Sequence, residues 1–158
     1  MLKETHYIMK LTPHFSLEEF TRSSTAKTKG INNTLNPTEE SDKRIIRNLR
    51  NLCAQVLEPL REHLSQPLVI TSGYRSPRLN AAVGGAANSQ HLTGQAADLR
   101  IPSVAEGRQW MRWIMDNTTF DQLILEHNKS GSHWIHVSCK PNPDENRHQV
   151  ISTLLKKS

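Results

Sequence analysis

The chain has 158 residues, which at roughly 150 residues per domain predicts one domain with a core of its own. Lys and Arg number 20 against 15 Asp and Glu, and the excess is spread along the chain rather than gathered into a basic arm. That distribution argues against a nucleic-acid-binding protein, although a mild positive charge suits an anionic polymer such as a cell wall.

Neither a membrane-spanning helix nor an export signal is predicted from the sequence. No apolar run approaches the ~20 residues that a membrane-spanning helix needs. Residues 1–15 contain neither a continuous apolar core nor a small-residue cleavage site, so no Sec signal is predicted. The two cysteines, Cys53 and Cys139, cannot form a disulfide framework.

The N-terminal part is predicted as a loose lead-in over residues 1–12, followed by a helical turn that begins at Ser16 with Glu19 three residues on. The stretch 21–35 is rich in Ser, Thr, Lys and Asn and is predicted as a surface loop.

The clearest predicted helix begins near Asn36, a good N-cap that precedes Pro37. Pro59 lacks a backbone N–H and is expected to bend this helix or to end it early. Apolar residues recur there every three or four positions and form one wide face: Ile45, Ile46, Leu49, Leu52, Cys53, Val56, Leu57, Leu60 and Leu64.

The remainder is predicted as short strands with one further long helix. That helix is opened by Ser103, with Glu106 three residues on, and runs to about Asn117. Strands 120–126 and 134–139 form a predicted hairpin around a polar turn. Other elements are a strand over 67–71, a helical turn over 78–83, a strand over 96–101 and a weak strand over 148–152. Together these elements predict a single α+β domain over residues 13–158.

Three side chains are candidate metal ligands. His91 and Asp98 are joined by a stretch in which Thr93-Gly94 argues against a helix, so we expect a loop that turns at Gly94 and returns along a strand carrying Asp98. His136 lies on the last predicted hairpin. Catalytic zinc is commonly held by three nitrogen or oxygen ligands with one position left for water or substrate. From spacing alone, ordinary hydrogen-bonding roles for these three residues stay open.

Several motifs bear on that choice: Ser72-Gly-Tyr-Arg-Ser-Pro77, Ser89-Gln-His91, Gly94-Gln-Ala-Ala-Asp98, Trp134-Ile-His136-Val-Ser138 and the opening His14-Phe-Ser-Leu-Glu-Glu-Phe20. Together they resemble zinc peptidases of the D-alanyl-D-alanine carboxypeptidase type, in the lysostaphin, D,D-carboxypeptidase and Hedgehog-like group, and especially its small phage-borne or mobile-element members. The resemblance runs from about residue 13 to residue 139. It implies a small, mostly antiparallel sheet flanked by helices and one Zn²⁺ per chain, held by His91, Asp98 and His136.

Peptide hydrolysis also needs a base that accepts a proton from water and passes it to the leaving amine. Many members of this group place Glu, Asp or His two or three residues before the last zinc ligand, where this chain has Trp134 and His133. Glu126 is the other candidate, because a short hairpin would bring it beside His136. His133 faces the metal only if its strand begins at Trp134. Both Glu126 and His133 therefore stay open as the general base.

Arg75 follows a predicted strand in a Gly-containing turn, where functional side chains are often displayed. Its guanidinium is expected to polarise the scissile carbonyl or to anchor a substrate carboxylate. Ser89 and Gln90 are candidates for hydrogen bonds to the substrate, and Trp134 for a wall of the cleft. The alternatives are an ion pair for Arg75, loop polarity for Ser89 and Gln90, and core packing for Trp134.

We therefore expect a zinc metallopeptidase that cuts peptidoglycan stem peptides, as a D,D-carboxypeptidase or as an endopeptidase. The alternative is a non-catalytic, zinc-containing cell-wall-binding module, since Hedgehog-like relatives use this fold for binding. We expect a monomer with no nucleic-acid partner and no membrane span. It would be made in the cytoplasm and act on the wall after release, as in phage lysis, or after non-Sec export.

Overall fold

The structure, a computed structural model, describes residues 8–156, so the first seven residues of the predicted lead-in lie outside it. No helix in that range is long and apolar enough to cross a membrane. The α-helices are α1 (Leu17–Thr21), α2 (Ser24–Lys29), α3 (Glu40–Leu52), α4 (Glu58–Leu64), α5 (Pro77–Ala82) and α6 (Val104–Asn117). The strands are β1 (Lys10–Thr12), β2 (Phe15–Ser16), β3 (Ile70–Ser72), β4 (Ala96–Arg100), β5 (Gln122–His127), β6 (His133–Ser138) and β7 (Gln149–Leu155).

Five strands form the main sheet in the order β3-β4-β6-β5-β7. Neighbouring strands are antiparallel except β5 and β7, which run parallel. The predicted hairpin is confirmed, since β5 and β6 pair antiparallel with Ile124 opposite His136. The α+β fold with a mostly antiparallel sheet is confirmed as well.

Side chains alternate between the two faces of this sheet, and the two faces have different characters. Leu99, Ile135 and Leu125 lie side by side on β4, β6 and β5, are almost fully buried, and belong to the hydrophobic core with α3, α4 and α6. The neighbouring row on the opposite face begins with Asp98 and His136. The sheet therefore presents polar side chains on the face turned away from the core.

Pro59 disturbs the long N-terminal helix without ending it. α3 continues through a π-helical segment, Cys53–Leu57, directly into α4. Glu58 donates its backbone N–H to the carbonyl of Cys53, five residues back, so Pro59 falls in the first turn of α4, where a missing N–H is tolerated. The apolar face continues across the bulge, and Leu49 and Leu60 are both fully buried.

Two predictions for the N-terminal region are wrong. The stretch 21–35 contains α2, because the Ser23 hydroxyl accepts the backbone N–H of Ala26 at 3.1 Å and Ala26 is buried. α3 begins at Glu40 instead of near Asn36. The Asn36 side chain accepts the backbone N–H of Thr38 at 2.9 Å and so closes a turn ahead of the helix.

The described end of the predicted lead-in is also structured. Lys10–Thr12 form β1, which pairs with β2, and Leu11 is only 5% exposed. The helical turn predicted from Ser16 is confirmed as α1, and the Ser16 backbone N–H donates to Glu19 Oε2 at 2.7 Å. Residues 10–16 therefore pack against the domain ahead of α1.

Candidate metal centre

His91, Asp98 and His136 converge on one point although they lie on three different elements. His91 is in a short 3₁₀ helix, Gln90–Thr93, while Asp98 and His136 are cross-strand partners on β4 and β6. Asp98 Oδ1 lies 3.3 Å from His91 Nε2 and 3.1 Å from His136 Nδ1. All three side chains are buried, so this cluster of donors is removed from bulk water.

The position of His91 is fixed by contacts on both sides of its ring. Its Nδ1 lies 2.7 Å from the carbonyl of Gly73, which makes Nδ1 the donor and leaves the lone pair of Nε2 facing Asp98. The 3₁₀ helix ends at Gly94, which has φ of +75°. A Cβ at Gly94 would also lie 2.7 Å from the carbonyl oxygen of Ile45 on α3, so only glycine lets the chain turn here.

The electrostatics of the cluster favour metal-binding protonation states. Burial disfavours the charged carboxylate of Asp98, but His91 and His136 outweigh burial and hold the pKa of Asp98 well below its usual value. Burial also lowers the pKa of His91, against the opposing effect of Asp98. The cluster therefore offers an ionised carboxylate beside a neutral imidazole, which are the forms that coordinate metals.

The donor set fits zinc. The three ligand atoms lie within 4.8 Å of one another. Two ligand atoms bound at ~2.0–2.1 Å to one tetrahedral ion are about 3.3 Å apart, close to the 3.1 and 3.3 Å separations from Asp98 Oδ1. Two imidazoles and one carboxylate form a set typical of catalytic zinc, with a fourth position left for water or substrate.

Glu126 lies beside this cluster, on the same face of the sheet as His136. Its side chain is buried, and Oε1 is 3.8 Å from His136 Nδ1. The other oxygen, Oε2, accepts a hydrogen bond from Trp134 Nε1 at 2.9 Å. Burial and the nearby charge of Asp98 raise the pKa of Glu126. A carboxylate with a raised pKa beside a metal position is suited to proton transfer near neutral pH.

Arg75 is held against the cluster by its neighbours. Its Nε donates to the Ser72 hydroxyl at 3.1 Å, its Nη1 donates to Asn80 Oδ1 at 3.1 Å, and its Nη2 lies 3.6 Å from Asp98 Oδ2. Gly85 packs closely on this arrangement, because a Cβ there would overlap Asn80 Oδ1 and lie 2.8 Å from Arg75 Nη1. The guanidinium is therefore oriented before any substrate binds.

Two adjoining cavities open on these residues. One, of about 320 Å³, is lined by His91, His136 and Glu126, and the other, of about 230 Å³, by Asp98, Trp134 and Glu126. Arg75 lines both. The buried donors are thus accessible to a ligand from the polar face of the sheet.

Residues 13–138 match the family model described as Peptidase M15. The chain belongs to the peptidase M15 family. M15 peptidases are zinc-dependent, which agrees with the grouping of His91, Asp98 and His136 as side chains that could bind a metal ion. A search of curated proteins finds no match to the chain. The match confirms the resemblance to zinc peptidases at the level of the family.

His133, the second candidate base, lies away from this M15 site. β6 begins at His133, so the side chain faces the opposite side of the sheet from His136. It is exposed, its ring stacks on His127 with centroids 5.4 Å apart, and its Nδ1 is 3.0 Å from the carbonyl of Gly131. Of the two candidates, the structure brings only Glu126 to the metal position.

Ser89 and Gln90 line the larger cavity, but each also has a structural partner. The Ser89 hydroxyl accepts the backbone N–H of His91 at 3.2 Å and so caps the 3₁₀ helix. Gln90 donates from Nε2 to Asp121 Oδ2 at 3.0 Å. Trp134 is half-buried and lines the smaller cavity.

Asp121 is a buried charge that the sequence did not single out. It is fully buried immediately before β5 and accepts hydrogen bonds from Arg147 Nε at 3.0 Å, Nη2 at 2.8 Å and the backbone N–H at 2.9 Å. Burial disfavours its ionised form, yet the bonds from Arg147 and Gln90 lower the pKa of Asp121 to about 2. Asp121 therefore ties the chain that follows the M15 match to the residue next to His91.

Proposed function

We propose that this M15 chain is a zinc metallopeptidase that hydrolyses peptide bonds in peptidoglycan stem peptides. The observation that carries the proposal is the position of Glu126, buried with Oε1 3.8 Å from the proposed zinc ligand His136 and facing the cavity. A purely structural metal site has no need of a buried carboxylate beside its ligands. Zinc would be held by His91, Asp98 and His136, one ion per chain.

Each component of the site has a task in this reaction. Zinc supplies Lewis acidity, which brings the pKa of water towards ~7 and polarises a carbonyl group. Glu126 Oε1 accepts a proton from the attacking water as its oxygen bonds to the carbonyl carbon. Glu126 then returns that proton to the leaving nitrogen as the C–N bond breaks. A free carboxyl and a free amine result, with water as the sole co-reactant.

Arg75 has the second catalytic role in the proposal. Its guanidinium is fixed by Ser72 and Asn80 and lines both cavities, so it donates to the substrate carbonyl oxygen as negative charge develops there. Preorganisation matters because a donor that is already oriented needs no rearrangement during the reaction.

The proposed substrate-binding roles are carried by residues of the cavity walls. Ser89 and Gln90 give a polar wall beside His91, and Trp134 gives a flat wall beside Glu126. We propose that the chain acts as a monomer on the cell wall, after release from the cytoplasm in a lytic role or after non-Sec export. The division into a lead-in of residues 1–12 and a domain of residues 13–158 stays a prediction.

Mass spectrometry of purified muropeptides tests the proposal. Zinc-loaded protein is expected to shorten the peptide stems, and the Glu126→Gln variant, loaded with the same amount of zinc, is expected to leave them intact. Intact stems with the wild-type protein, together with binding to wall sacculi, would favour the non-catalytic wall-binding module instead. A control variant, Arg112→Ala on the exposed face of α6, is expected to cleave as the wild type does.

A further inference from the structure

The cleft continues beyond the metal site in both directions. The two cavities at the metal site share Arg75, Gly85, Glu126 and Lys156, so the reacting groups stand at their junction. The smaller cavity in turn shares Ser23, Ser24 and Thr71 with a third cavity of about 470 Å³. The three cavities therefore adjoin one another in a row, which we call the groove, and the metal site lies within this row rather than at its end.

The third cavity, which we call the distal cavity, is strongly cationic. It is lined by three basic side chains, Arg22, Lys27 and Arg100, and by no acidic one. All three basic residues are exposed, and within residues 8–156 none of them forms an ion pair. Three uncompensated cations around one cavity favour an anionic group there.

The register of the sheet places the distal cavity relative to Glu126. Arg100, Trp134 and Glu126 are cross-strand neighbours in one row on β4, β6 and β5. Neighbouring strands are about 4.8 Å apart, so the backbones of Arg100 and Glu126 are about 10 Å apart. An extended peptide covers that distance with about three residues.

The walls between these points are suited to an extended chain. Residues with hydroxyl groups line the middle of the groove: Ser23, Ser24, Thr25 and Ser72. Hydroxyl groups both donate and accept hydrogen bonds, so they can pair with the backbone N–H and C=O groups of a peptide that crosses the sheet.

We propose that the groove binds its peptide substrate extended across the metal site, with residues on both sides of the cleaved bond. In this arrangement Arg22, Lys27 and Arg100 bind a substrate carboxylate about three residues away from that bond. The inference rests on the proposed function and selects internal cleavage over removal of a terminal residue. It also predicts that an acidic residue in the stem, with its carboxylate free, is recognised.

The test uses synthetic stem peptides in which that carboxylate is either free or amidated. Removing the three cations together, in Arg22→Ala/Lys27→Ala/Arg100→Ala, is expected to raise KM for the free-carboxylate peptide about tenfold, because each exposed ion pair changes affinity by up to about fivefold. We expect kcat to change by less than about twofold, and the amidated peptide to show no change in KM. The matched control removes three exposed arginines outside the groove, Arg44, Arg47 and Arg112, and is expected to leave KM unaltered.

Product analysis and calorimetry separate the failure of this inference from the failure of the proposed function. The inference would be overturned if cleavage released only a terminal residue. It would also be overturned if neither amidation nor the triple substitution changed KM. In both cases the proposed peptidase activity would still stand. If no stem peptide is cut, the proposed function fails. Calorimetry with the same zinc-loaded proteins then measures whether the peptides bind and whether the distal cavity contributes to their affinity. Weaker binding after amidation or triple substitution supports the distal carboxylate site, and equal binding overturns it.

Discussion

Trp134 and Glu126 are cross-strand partners, and the indole Nε1 of Trp134 donates a hydrogen bond to Glu126 Oε2 at 2.9 Å. The two carboxylate oxygens of Glu126 therefore have different neighbours. Oε2 is held by the indole, while Oε1 faces His136 at 3.8 Å. Since Trp134 also lines the cleft, one side chain both shapes the wall and orients the proposed base.

Glu126→Gln tests the base directly. Gln has the same shape and retains an oxygen that can accept the bond from Trp134, but it cannot accept a proton. We expect kcat to fall by about 10²–10⁴-fold, the usual contribution of a general base, with one zinc still bound per chain. Steady-state kinetics and metal analysis of the same sample measure both quantities. Unchanged kcat in a zinc-loaded variant would remove Glu126 from the mechanism.

Trp134→Phe is expected to change the pH dependence of catalysis. The indole bond favours the ionised form of Glu126, so its loss raises the pKa of Glu126 further. Glu126 must be ionised to accept a proton, and activity is lost as the pH falls through its pKa. The acidic limb of the kcat/KM profile should therefore move to higher pH. Trp113→Phe on α6 is the control, and an equal movement in both variants would contradict the assignment.

The three candidate metal ligands were predicted from the family that their motifs resemble, because their spacing alone left ordinary hydrogen-bonding roles open. Glu126 belongs to none of these motifs, and its position was inferred from the alternation of side chains along a strand. Together with a short hairpin, that alternation places Glu126 beside His136. The same alternation excludes His133 as the base, because β6 begins at His133 and the side chain of His133 therefore lies on the opposite face from His136. Sequence reasoning could not fix that strand end, and so it could not choose between the two candidates.

Contacts between residues that are far apart in the chain could not be predicted from local sequence patterns. Asp121 gave no local signal, because its partners Gln90 and Arg147 are 31 and 26 residues away. Lys156 approaches Glu126 Oε1 to 3.6 Å only because β7 pairs parallel to β5. α2 was missed for a different reason, since its polar composition is typical of a loop and only the Ser23 cap marks its beginning.

Gly85→Ala is expected to displace Arg75 without touching the metal ligands. The new Cβ would overlap Asn80 Oδ1 and lie 2.8 Å from Arg75 Nη1, so the guanidinium must move. Loss of one preorganised donor lowers kcat by about 10²–10³-fold in known cases, and a displaced donor should lower it by about tenfold or more. Ala87→Ser, in the exposed part of the same loop, is the control. If kcat and zinc content both match the wild type, Arg75 does not act on the carbonyl.

Asp98→Ala is expected to abolish zinc binding at stoichiometric concentration, since it removes the ligand that lies between the two imidazoles. Zinc at about 100 times its Kd stabilises a folded protein by about 2.7 kcal/mol, which for a chain of this size raises Tm by about 5–10 °C. The wild type should show that rise, lose it on chelation and regain it when zinc is restored. A zinc-dependent rise of the same size in Asp98→Ala would contradict the ligand set.

Asp121 makes the stability of the fold depend on pH in the acidic range. Its pKa is about 2 in the folded chain, against an ordinary value of 3.8, so its ionised form favours folding. That contribution is complete above about pH 4 and is lost as the pH falls towards 2. It amounts to at most about 2 kcal/mol, because Arg147 is half exposed and solvent screens its charge.

Urea unfolding of the wild type and of Asp121→Asn, between about pH 6 and pH 2, measures this contribution. The free-energy difference between the two proteins should be largest above pH 4 and should shrink as the pH falls. Asp116→Asn on α6, which removes an exposed carboxylate, should show a small difference at every pH. A difference between wild type and Asp121→Asn that is the same at pH 6 and pH 2 would mean that Arg147 does not stabilise the ionised form of Asp121.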